Sequence, residues 1–192
     1  MAVPVAPLTE ILKSLYGAYR LARFARDGLN HFNLTPAGFF RSFTAAAIVA
    51  PFFLALLVAR FNGLEEPPVF GRYLILEILA FVISWCAFPL IMQGICGSID
   101  RSDKYIRFVV AYNWSMVLQN VIYISIIVLG SWGVLSQGTT NGLALIVLVW
   151  SLAYTGFVAR TALDVPPMTA AGIVVVDFLL SLCIELSISS QI

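Results

Sequence analysis

Seven polar side chains interrupt long apolar runs: Glu77, Asn113, Gln119, Asn120, Asp177, Ser181 and Glu185. Carboxylates, amides and hydroxyls gathered inside hydrocarbon can coordinate a cation or relay protons. The same groups can also join membrane helices, at roughly 0.6–2 kcal/mol per contact. Their spacing is helical. At about 100° per residue, Tyr112, Asn113, Met116, Gln119, Asn120 and Tyr123 fall within about a third of the helix circumference. Asp177, Ser181 and Glu185 recur every four residues and share one broad face.

Enzymatic chemistry lacks its parts. The single histidine, His31, falls in a polar connector outside the apolar runs, which removes a Ser/His or Cys/His nucleophile pair. No HExxH, GxxxxGK[ST] or GxGxxG pattern occurs. Asp177 and Glu185 stand about 12 Å apart along one helix, too far to share a proton as an aspartyl dyad does. Cys86, Cys96 and Cys183 form no CxxC pair and read as small apolar packing residues. The sequence therefore assigns no catalytic residue, no cofactor and no metal ligand.

The elements that position the polar residues follow from composition. The chain has 192 residues, 60% hydrophobic and 11% charged, with a mean hydropathy of +0.94. Soluble domains carry about 25% charged residues. Several runs of 18 or more apolar residues place the chain in the membrane class. With a net charge of +1, and without a basic stripe bearing stacking aromatics, nucleic acid is not an expected partner. The expected partners are the lipid bilayer and another membrane protein or a second copy.

The pattern predicts an all-α bundle of five transmembrane helices behind an N-terminal amphipathic interfacial helix. Residues 1–34 form the cytoplasmic helix and connector, and residues 35–192 the membrane domain. The first residues lack the basic start and apolar core of a cleavable signal. From Leu8 to about Ala25, Leu8, Ile11, Leu12, Leu15, Tyr16, Tyr19 and Ala22 share an apolar face; Thr9, Glu10, Lys13, Gly17 and Arg20 lie opposite. Such a helix beside a span lies in the headgroup plane, with Lys13, Arg20, Arg23 and Arg26 as lipid-headgroup contacts. A helix packed on the bundle or on a partner is the alternative. Asn33-Leu34-Thr35 fits a glycosylation sequon, but falls on the cytoplasmic side in this topology.

Thr35-Pro36 reads as a helix start, a capping hydroxyl followed by Pro at the first helical position. Spans are expected at about 39–60, with a kink at Pro51, then 71–95, 105–130, 143–162 and 168–189. Loops at 61–68, 97–104, 131–142 and 161–167 separate them. Arg160 and Asp164 are spaced to pair at i, i+4. Trp132 fits an interfacial belt, whereas Trp85 and Trp150 sit deeper and read as packing residues.

Orientation follows from charge. Nine of the eleven Lys and Arg residues (Lys13, Arg20, Arg23, Arg26, Arg41, Arg101, Lys104, Arg107 and Arg160) fall on one side, and Arg60 and Arg72 on the other. The positive-inside rule then puts the N-terminus in the cytoplasm and the C-terminus outside, as in a bacterial inner membrane. Asp177 lies about 13 Å into the last span, and Glu77 about 10 Å from the outer surface. Asn113 matches the level of Asp177, and Gln119 and Asn120 match Glu77 and Glu185. A polar seam between spans two, three and five is the economical arrangement.

The run Tyr105-Ile106-Arg107-Phe108-Val109-Val110-Ala111-Tyr112 follows a short charged loop. It resembles the start of the third span in prokaryotic members of the Yip family of five-span membrane proteins. The plan is also similar: a cytoplasmic N-terminal segment, five closely spaced spans and almost no C-terminal tail. The Asp-Leu-Tyr-Gly-Pro signature of the eukaryotic members is absent, and Asn113-Trp114-Ser115 stands where a proline is typical. The resemblance implies a non-enzymatic role in membrane organisation, trafficking or complex assembly, and transfers no catalytic residues. An assembly or accessory subunit of a membrane complex is the first functional expectation. A small transporter or channel moving protons, cations or a small solute along the seam is the second.

Overall fold

Chain segments this apolar must satisfy their own backbone polar groups, and the helix is the structure that does so within one segment. The computed structural model describes residues 6–64, 66 and 68–189. The expectations for the first five residues, for Glu65 and Pro67 in the first loop, and for the last three residues lie outside the described residues. Among the described residues, seven α-helices follow in order: α1 (Leu8–Ala22), α2 (Pro36–Ser42), α3 (Thr44–Asn62), α4 (Phe70–Ser98), α5 (Tyr105–Ser131), α6 (Gln137–Leu163) and α7 (Pro167–Ser189). Five helical stretches are long and apolar enough to cross a membrane, with α2 and α3 together forming the first, Pro36–Asn62.

Local signals explain most boundaries. Thr35 caps α2 as expected, accepting the Gly38 N–H at 3.1 Å ahead of Pro36. The first span then breaks into two helices at Phe43, and α3 continues through Pro51. Of the stretch 131–142 expected as a loop, 132–136 connects α5 to α6 but 137–142 forms the first turns of α6. Ser136 caps it by accepting the Thr139 N–H at 3.2 Å, and nothing in 137–142 is a proline. At its far end α6 stops at Asp164, whose φ of 54° is left-handed.

At the centre stands α5. Residues 108–115 are all buried, so this helix is covered on every side at that level. It packs against α6, α3, α1, α2 and α4. In contrast, α7 rests on α6 and α4, and only 6% of its most apolar window is buried. The lipid-facing surface is lined by exposed side chains such as Ile75, Leu145, Val149 and Leu186.

The faces of α1 are arranged differently from the expectation. Its buried residues are Ser14, Gly17, Ala18 and Leu21, while Leu8, Leu12, Tyr16 and Tyr19 are exposed. The packed face is therefore the small-residue face, including Gly17 from the side assigned as polar. Close backbone approach is the reason. A Cβ on Gly17 would stand 2.8 Å from the Gly28 carbonyl oxygen, and one on Gly28 2.6 Å from that of Gly17. This packing folds the 26–31 turn against α1, and the Tyr154 hydroxyl of α6 donates to the Ala18 carbonyl at 2.6 Å. A salt bridge from Glu10 to Arg41 (3.1 Å) ties α1 to α2.

Candidate functional site

A cavity of about 220 Å³ opens between α3, α4, α5 and α7. Its polar lining is drawn from four helices. Arg60 comes from α3, Glu77 and Ser84 from α4, Asn120 and Tyr123 from α5, and Ser181 and Glu185 from α7. Apolar walls complete it, with Phe53 stacked on Phe81 at 4.6 Å between centroids and Trp85 and Met116 alongside. Helical spacing explains the α5 contribution: Tyr112, Met116, Asn120 and Tyr123 lie on one face and all reach the cavity.

Charge within the cavity is uneven. Arg60 pairs with Glu185 at 3.3 Å. Glu77 has no ion pair within 4 Å among the described residues. One guanidinium thus faces two carboxyl groups, an arrangement that accepts one further positive charge or hydrogen-bond donor. The rim is accessible, since Ser84, Ser181 and Glu185 are exposed.

The expected seam is partly assembled and partly redirected. Glu77, Asn120, Ser181 and Glu185 meet around this cavity, and α3 joins spans two, three and five through Arg60. Asn120 also donates back to the Met116 carbonyl at 2.9 Å. Asp177 is met at its level by Tyr112 rather than Asn113: the Tyr112 hydroxyl donates to Asp177 Oδ1 at 2.8 Å. Asn113 is rotated about 100° further round α5. Fully buried, it donates instead to the Ser42 hydroxyl of α2 at 2.9 Å. Gln119 is buried outside the cavity lining, and its Nε2 has no partner among the described residues.

No family model, curated protein or solved structure matches this chain. The geometry therefore carries the functional reading.

At the opposite end of the bundle, charge is organised around the α6–α7 turn. Arg107 donates to the carbonyls of Ala162 and Thr161, satisfying the last turn of α6. Asp164 does not pair with Arg160. Its left-handed backbone lies beyond the helix, so i, i+4 geometry does not extend to it, and its carboxylate instead accepts from Lys104 Nζ at 3.1 Å. That hydrogen bond holds the Asp164 carboxyl below its ordinary pKa. Of the expected headgroup residues, Lys13 is exposed. Arg20 pairs with Asp27 at 2.5 Å, which raises the Arg20 pKa above its ordinary value. Arg23 donates to the Tyr19 hydroxyl at 3.2 Å, and Arg26 is exposed. Among the described residues, no group of three His, Cys, Asp or Glu side chains could hold a metal ion.

Sequence reasoning missed Arg60 and Tyr112 as functional partners. In the sequence Arg60 served only to orient the spans, yet from the last turn of α3 it reaches Glu185 at 3.3 Å. Tyr112 carried a signal in the stripe itself: it is the position on α5 from which Asn120 and Tyr123 follow on the same face.

Proposed function

We propose that this chain is a non-enzymatic integral membrane protein that acts as an assembly or accessory subunit of a membrane complex, with the α3–α4–α5–α7 cavity as its recognition site. The observation that carries the reading is the exposed, charge-unbalanced rim: Glu185 keeps 62% of its side chain exposed on a membrane helix. An uncovered carboxylate there is unfavourable in lipid, and a basic or hydrogen-bonding group from a neighbouring membrane helix would cover it. Support also comes from how α5 spends its deeper polar groups. Asn113 and Tyr112 each tie another helix to it, as interhelical glue does. The proposal includes an inner-membrane location with the α1 end cytoplasmic. The α1 end gathers Lys104 and Arg107 with Arg101 and Arg160, as the positive-inside rule expects of that side. It is also compatible with the membrane-organising role that a Yip-like resemblance implies.

The second reading is a small cation transporter, favoured by one fact: Glu77 lines the cavity without an ion-pair partner among the described residues. A photo-crosslinking residue at Ser84, on the rim, separates the two in native membranes. The assembly reading expects one defined crosslinked product, lost in Glu77→Gln and Glu185→Gln, with purified protein in liposomes passing no cation. A cation flux abolished by Glu77→Gln, with no crosslinked product, would establish transport in its place.

A further inference from the structure

We propose that the α1 end of the bundle binds one anionic phospholipid, its phosphate held by Arg26 and Arg160 and one acyl chain lying in the groove between α6 and α7. Two adjoining spaces carry this. A cavity of about 400 Å³ is lined by Arg26, Arg160, Thr161 and Asp164. An apolar groove of about 490 Å³ runs on from it along α6 and α7. Arg160 lines both, so the cationic space and the apolar slot meet at one side chain.

The charges in the cavity are not already spent. Asp164 is engaged by Lys104 at 3.1 Å, and its carbonyl accepts from Arg101 at 3.5 Å. Arg26 and Arg160 are exposed, and neither has an ion pair within 4 Å among the described residues. Two guanidinium forks facing one space match the geometry of a phosphate better than two ammonium groups would. Thr161 adds a buried hydroxyl that has no partner among the described residues.

Small residues from both helices help line the groove. Ala153 and Gly156 on α6 face Ala170 and Ala171 on α7. A Cβ at Gly156 would already touch Val174 Cγ2 at 3.4 Å. Phe24 stands at the mouth. It takes a left-handed φ of 58° just beyond α1, a conformation that a bulky residue adopts only when its surroundings hold it. Its ring meets Phe157 edge-on at 5.3 Å. The α1 turn thus delivers both an aromatic wall and, two residues later, Arg26. A soluble anion would use the cavity alone; an amphiphile uses both spaces, and a basic pocket between membrane helices is where a lipid headgroup settles.

Native mass spectrometry of the full chain tests this, with phosphatidylglycerol and phosphatidylcholine of identical acyl chains as probes. The expected result is at least a tenfold preference for phosphatidylglycerol. Arg26→Gln with Arg160→Gln should reduce the preference to within twofold, while Arg72→Gln, a charge loss at the opposite end of the bundle, should leave it intact. Ala171→Trp, on the exposed groove wall, should weaken phosphatidylglycerol binding about tenfold without lowering the melting midpoint. Equal binding of the two lipids, or as large a loss in Arg72→Gln as in the double variant, would overturn the site. Displacement of the lipid by millimolar inorganic phosphate, with no effect of Ala171→Trp, would overturn the acyl groove.

Discussion

The two sides of α5 solve the same problem differently. Toward α1, α2 and α6, the bundle is close-packed through small residues and fixed by hydrogen bonds, as at Gly17 against Gly28 and Asn113 against Ser42. Toward α4 and α7, contact is sparse, a cavity remains, and carboxyl groups stand at its rim. Packing in a membrane gains nothing from the hydrophobic effect between helices, so van der Waals fit and hydrogen bonds must supply the attraction. The first side uses both. The second leaves its polar groups incompletely used, which is why the proposed recognition site is placed there.

That contrast can be broken by substitution. The largest effect is expected for Gly17→Val. No side chain fits between α1 and the 26–31 turn, and overpacking there should destabilise by about 2 kcal/mol or more, read as a drop in the thermal unfolding midpoint in detergent. Tyr112→Phe comes next. It removes the one hydrogen bond Asp177 makes among the described residues and should cost about 1–2 kcal/mol. Asn113→Ala should cost about 1 kcal/mol, in the range of interhelical hydrogen bonds. Glu77→Gln, on the loose side, should change the unfolding midpoint by less than any of these while altering assembly. A Glu77→Gln loss of stability as large as that of Tyr112→Phe would erase the distinction between the two sides.

The smallest effect concerns pH. Asp164 has a depressed folded pKa because Lys104 hydrogen-bonds its carboxylate. Its contribution to stability is present above the ordinary Asp value of about 4, and is lost as pH falls through the lower folded value. Lys104→Met should therefore flatten the fall in melting midpoint below about pH 4. An unchanged pH profile would show that the pair contributes nothing at this exposed site.

Much of this architecture was legible. Apolar runs gave five helices long and apolar enough to cross a membrane, and Thr35-Pro36 gave a helix start with the expected hydroxyl cap and leading proline. The start of α6 was not legible, because glycines and small polar residues signal a loop unless a cap such as Ser136 outweighs them. Of the cavity, Glu77, Asn120 and Glu185 could be matched by depth, and Ser181 by its spacing from Asp177. Asn113 could not be assigned correctly that way, since depth says nothing about which neighbour a side chain faces.

The sequence by itself determined the number of helices long and apolar enough to cross a membrane, the position of each polar residue along its helix and the uneven charge of the loops. Those follow from the cost of polar groups in hydrocarbon and the fixed rise of a helix. Only the tertiary structure decided which face of α1 is packed, that Tyr112 answers Asp177, that Arg60 joins Glu77 and Glu185, and that Arg26 stands beside Arg160. These depend on helix rotation and neighbour choice, which in a membrane are set by the fit of small residues and by hydrogen bonds rather than by apolar patterning.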